Sequence, residues 1–178
     1  YISEVDMYAH RPFSALVWSG ALERHPGLKL VFTETGCSWI LETLRLLEFK
    51  SADPIFKYFS KDLSLTPTGY FERQCFIGAS FMPAHEGRDR YKIGLDKLMW
   101  GSDYPHVEGS HPWTREHLRL TFHDVPEAEV RSMLGQNAAS VYGFDLDKLA
   151  ALAERVGPTP GEIAKPITAS EVPIEAQK

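Results

Sequence analysis

The chain has 178 residues, 43% of them apolar, and its 24 acidic against 19 basic side chains leave a formal net charge of -5. This balance describes one soluble globular domain with enough apolar material for a core, and it lacks the basic footprint of a nucleic-acid binder. No apolar run reaches the roughly 20 residues of a membrane span, and residues 1–6 have neither the basic start nor the apolar stretch of a signal peptide, so a cytoplasmic protein without membrane or nucleic-acid partners is expected.

In chain order, residues 12–24 place Phe13, Leu16, Val17, Ala21 and Leu22 near helical spacing, and His25-Pro26-Gly27 stops the helix. Residues 28–33 form a short apolar, β-branched and aromatic run, which suits a strand buried on both faces. Helical spacing returns from Ser38, a predicted N-cap, through Trp39, Ile40, Leu44 and Leu47; residues 61–69 read as loop. A second strand is expected at 73–78 and a third at 97–100, with a helix over 86–93 closed by Gly94 between them. After a His-, Gly- and Pro-rich loop at 104–112, helices are predicted over 113–122, from 124–126 to a C-cap at Gly143, and from Asp145 with Leu146, Leu149, Leu152 and Val156 on one face. Residues 1–156 form the domain; 157–178, with four prolines, read as an extended tail. Strand and helix alternate with connections too long for hairpins, so the fold class is α/β with a parallel sheet.

In such folds ligands bind where strand C-termini meet their loops, because several loops converge there. Glu34 and Asp103 hold those positions after the first and third strands, although by residue type alone such carboxylates are more often helix caps or arginine partners. Of seven histidines, His106 and His111 follow Asp103 closely enough to reach a site above that strand. His25, His117 and His123 read as solvated. His85-Glu86 lacks the second histidine of HExxH, and Gly36-Cys37-Ser38-Trp39-Ile40 lacks the closing glycine of a nucleophile elbow. Cys37 and Cys75 form no CxxC and are read as reduced, with Cys37 a packing residue.

Three segments together carry a resemblance: His25-Pro26-Gly27-Leu28-Lys29-Leu30-Val31-Phe32 with Glu34 and Gly36; Asp96-Lys97-Leu98-Met99-Trp100-Gly101-Ser102-Asp103-Tyr104-Pro105-His106; and Gly135-Gln136-Asn137-Ala138-Ala139 with Tyr142-Gly143-Phe144. They strongly resemble the amidohydrolase-related (amidohydrolase 2) family, which includes aminocarboxymuconate-semialdehyde decarboxylase-like enzymes. The similarity covers most of residues 12–145. It implies a (β/α)8 TIM barrel, of which this chain would hold about strands six to eight, since a complete barrel needs about 200 residues or more.

The resemblance also implies a divalent metal, most often zinc, held by a His-x-His-type pair after the first barrel strand, a histidine after the fifth and an aspartate ending the eighth. Asp103 matches that aspartate, which acts both as metal ligand and as proton acceptor and donor. The other ligands have no counterpart in this chain. Glu34 stands where many relatives place a substrate-polarising histidine; Glu34, His106 and His111 are therefore assigned to substrate or to the surroundings of the ligands. The expected function is a metal-dependent hydrolase or decarboxylase of a small organic substrate, with this chain incomplete for catalysis and either homo-oligomeric or associated with the missing N-terminal half. The alternative is an inert barrel fragment serving as a binding or assembly module.

Overall fold

All strand pairing is parallel, as the long connections require. In the computed structural model, which describes residues 8–80 and 82–173, β1 (Leu30–Thr33), β2 (Cys75–Ser80) and β3 (Leu98–Gly101) form one sheet in the order β1-β2-β3. Phe32 pairs with Ile77, and Ile77 with Leu98. Side chains alternate along a strand, so these three share a face with Leu30, Cys75 and Trp100, and that face is packed into the core. The opposite face, with buried Met99, half-buried Val31, Phe76 and Ser80 and exposed Thr33, is only partly covered.

The covered face is closed by helices drawn from before, between and after the strands. Before β1 come α1 (His10–Trp18) and α2 (Ala21–Arg24), two helices where one was expected, separated because Gly20 adopts φ 70. Between β1 and β2 lie α3 (Trp39–Ala52), α4 (Lys57–Ser60) and α5 (Pro67–Gln74). Fully buried Phe13 of α1 meets Phe32, Trp39 and Phe71 edge-on, with ring centroids 6.0, 6.4 and 6.1 Å away. Each such ring contributes roughly 1.5–3 kcal/mol by burial, and T-shaped contacts add to it.

The sequence reading misplaced the start of the second βα unit. Residues 67–74 are helix rather than loop followed by strand: the Thr66 side chain accepts from the Gly69 N–H at 3.2 Å, and Pro67 supplies the first helical position. Arg73 and Gln74 therefore end a helix. Gln74 Nε2 donates to the His25 and Leu28 carbonyls at 3.0 and 3.1 Å, tying the end of α5 to the turn entering β1.

Between β2 and β3 the expected helix is α6 (Ala84–Arg88) and α7 (Arg90–Ile93), followed by a 3-10 turn, Leu95–Lys97. After β3 come α8 (Thr114–Phe122), α9 (Glu127–Arg131), a π-helical turn (Ser132–Gln136), α10 (Asn137–Tyr142), α11 (Leu146–Val156) and α12 (Pro160–Ile163). Gly143 ends α10 at φ 75, and the Asp145 side chain caps α11, both as the sequence indicates. The apolar side of α11 is nevertheless exposed, Leu146, Leu149, Leu152 and Val156 alike.

Residues 157–173 are not an extended tail. Thr159 and Glu162 form a reciprocal capping box that opens α12, and Ile163, Ile167 and Val172 are buried. Arg119 of α8 donates to the Lys165 and Pro166 carbonyls at 2.9 and 2.7 Å. The prolines punctuate the segment without preventing apolar side chains between them from packing. The rest of the expected tail, 174–178, lies outside the described residues. Among the described residues no helix is long and apolar enough to cross a membrane.

Asn137 joins the last helical layer to the sheet, its Nδ2 donating to the Leu95 and Leu98 carbonyls at 2.8 and 2.7 Å. Asn137→Ala leaves both acceptors without this partner and should cost about 1–3 kcal/mol. Thermal unfolding followed by circular dichroism should show a Tm several degrees lower; an unchanged Tm counts against the bracket.

Candidate functional site

Because the strands are parallel, β1 and β3 release their following residues at the same edge of the sheet. Glu34 follows β1 directly and Asp103 follows β3 by two residues. Both have left-handed backbones, φ 57 and 55, and they are the two non-glycine residues with positive φ among the described residues. That conformation is uncommon for a residue with a Cβ and costs on the order of 1–3 kcal/mol. Strand β2 separates them, so their backbones stand about two strand spacings, roughly 10 Å, apart. The small residues Gly78, Ala79 and Ser80 end β2 and leave the side chains room to meet above it.

They do meet. One donor atom each from Glu34, Asp103 and His106 lies within 4.8 Å of the others. The His106 N–H donates to the Asp103 carbonyl at 2.9 Å, and its Nδ1 lies 3.0 Å from Asp103 Oδ2. A carboxylate oxygen accepts, so the imidazole Nδ1–H is the donor in this contact. Glu34 and His106 are exposed, while the Asp103 side chain is 17% exposed.

A tight loop fixes Asp103 and His106 relative to each other. The Ser110 N–H donates to the Ser102 carbonyl and the Gly109 N–H to the His106 carbonyl, each at 2.9 Å. Three carbonyls crowd Gly109: a Cβ there would lie 2.7 Å from the Asp103 oxygen, 2.8 Å from Ser102 and 2.9 Å from His106.

His111, grouped with these residues by sequence, stands apart from the cluster, its exposed ring edge-on to Tyr104 at 5.1 Å. His117, read as solvated, is buried in α8. Cys37 is fully buried, and that burial, reinforced by nearby Glu86, drives its thiol far above the ordinary range, so it is held neutral and unreactive. Burial likewise pushes Cys75 up to about 12. Ser38 does not cap α3 with its side chain; the Cys37 and Ser38 amides donate to Glu86 Oε1 instead. Sequence reasoning missed Glu86 because its partners lie 48 and 49 positions away and no local spacing marks them.

Two ionised carboxylates with oxygens within 4.8 Å repel one another. A cation between them converts that repulsion to attraction. Two carboxylates and one imidazole also form a donor set typical of a catalytic divalent centre with a position left open. The residues present therefore fit a divalent metal.

The amidohydrolase family model matches residues 5–144. An amidohydrolase from Mycobacterium avium subsp. paratuberculosis K-10 superposes with a TM-score of 0.63 at 23% identity, over 80% of this chain and 35% of that one. The 5-carboxyvanillate decarboxylase LigW from Sphingomonas paucimobilis gives 0.62 at 25% identity, over 73% and 38%. The chain thus spans little more than a third of the length of these structures. No curated protein matches it.

Gly109→Ala should open the 102–110 loop and separate His106 from Asp103, because the crowding atoms are backbone carbonyls that cannot rotate away. A crystal structure of the variant, or loss of the His106 Nδ1 proton signal in NMR spectra, tests this; a variant retaining the 3.0 Å contact would show the loop to be more forgiving.

Proposed function

The chain belongs to the amidohydrolase family, and on that footing we propose that it serves as a metal-dependent hydrolase or decarboxylase of a small organic substrate. The observation that carries this reading is the meeting of Glu34, Asp103 and His106 at the C-terminal edge of a parallel sheet. The likeness to a decarboxylase at 25% identity supports the carbon–carbon lyase branch beside the hydrolytic one.

In this reading β1, β2 and β3 are strands six to eight of a (β/α)8 barrel. The partly covered face of the sheet is the barrel interior, closed by further strands of the same or an associated polypeptide, which also bring additional metal ligands. Glu34, Asp103 and His106 hold the divalent ion, and zinc suits their oxygen and nitrogen donors. When bound, the ion supplies Lewis-acid polarisation of a substrate oxygen. Asp103 Oδ1 or Oδ2 holds the proton in transit. In hydrolysis it takes a proton from the water that attacks the substrate carbon and passes it to the leaving group as that bond breaks; in decarboxylation it passes a proton drawn from solvent to the carbon that keeps the electron pair as carbon dioxide departs. The His106 Nδ1–H orients the Asp103 carboxylate for this exchange.

Isothermal titration of the purified chain with zinc should show one equivalent bound, with clear weakening in Asp103→Asn and Glu34→Gln. Zinc binding that neither substitution affects would remove the assignment. Within an assembly that completes the barrel, Asp103→Asn should lower the steady-state rate by about 10²–10⁴-fold at saturating metal, the usual worth of a general acid–base group.

A further inference from the structure

Glu86 is the one buried acidic residue among the described residues, 6% exposed, and the proposed chemistry makes no use of it. It belongs to α6, just beyond β2, yet its Oε1 accepts from the Cys37 N–H at 2.8 Å and the Ser38 N–H at 2.9 Å. Those amides open α3, so charge-assisted bonds and the positive helix end offset the desolvation of the carboxylate. Gly36, at φ 60, completes the seat: a Cβ there would lie 2.7 Å from Oε1. The other oxygen, Oε2, is buried without a hydrogen-bond partner, as is the Thr35 hydroxyl one residue before Gly36.

Capping alone does not account for this arrangement. A serine already stands at position 38, and a local side-chain cap there would fix the helix end without burying an ion or leaving an oxygen unpaired. What a carboxylate from α6 adds is a tie between two elements, holding the β1–α3 turn against the segment that follows β2. Glu34 lies in that turn, two residues before Gly36, in a conformation its own backbone disfavours. We propose that Glu86 is a positioning residue for Glu34, clamping the β1–α3 turn onto α6 so that the Glu34 carboxylate reaches across β2 to Asp103 and His106. This inference rests on the reading of those three residues as a metal site.

A double-mutant cycle on the purified chain tests it, with zinc affinity read by calorimetry and folding by circular dichroism. Glu86→Ala should weaken zinc binding by about 10–100-fold, the usual cost of losing a group that orients a ligand, and should cost nothing further in a Glu34→Gln background. Glu86→Gln keeps an acceptor for the two amides and should lose less. Equal weakening with and without Glu34 would mark Glu86 as merely structural and overturn the proposal. If Glu86→Ala does not fold, Gly36→Ala breaks the same contact from the opposite side and completes the cycle. If the parent chain binds no zinc, the metal-site reading fails by itself, and the crystal structure of whichever variant folds decides the clamp. Glu34 displaced from Asp103 and His106 supports it, and Glu34 still within 4.8 Å of both overturns it.

Discussion

Two carboxylates held face to face by disfavoured backbone are the constraint to which the rest of the structure answers. Glu34 and Asp103 each adopt a left-handed conformation, and their like charges are brought within 4.8 Å. Neither condition stabilises the fold: the backbone conformation is disfavoured, and like charges repel. Such an arrangement persists only where its surroundings over-determine it. Those surroundings are visible: Gly109 packed against three carbonyls beneath Asp103, and Glu86 seated on the turn beyond Glu34. Stored strain at two acidic residues aimed at one point fits the proposal that they hold a cation between them.

The sheet makes the meeting geometrically available. Parallel strands deliver their following loops to one edge, and β2 ends in residues too small to obstruct the gap. The interlocked rings of Phe13, Phe32, Trp39 and Phe71 hold β1 against α1, α3 and α5, so Glu34 hangs from a rigid support. Asp103 depends instead on a loop stiffened by its own hydrogen bonds. The two halves of the site are thus held by different physics, aromatic packing on one side and backbone hydrogen bonding on the other.

The uneven covering of the two sheet faces accords with membership of a barrel-forming family whose solved relatives are far longer than this chain. One face of the sheet is packed under helices; the other buries Met99 but leaves Val31 and Phe76 half-buried and Thr33 exposed. In a closed barrel that second face is interior and dry. The exposed apolar side of α11 is a separate matter, since it projects from the helical layer that follows β3 and not from the sheet.

The sequence by itself determined the parallel α/β order, the strand-end positions of Glu34 and Asp103, the caps at Gly143 and Asp145, and the family. Each is written in local chemistry: short β-branched runs, long connections, a glycine after the last helical turn, an aspartate before the first. Only the tertiary structure decided that His106 joins the two carboxylates while His111 turns to Tyr104, because one loop closed by Gly109 sends neighbouring histidines in different directions. It also decided that residues 67–74 are helical and that 157–173 pack on α8, outcomes set by a cap at Thr66 and by apolar burial between prolines. The capping of α3 by Glu86 belongs to the same class. A buried carboxylate finds its partners through space, and no spacing along the chain announces a bond between residues 49 positions apart.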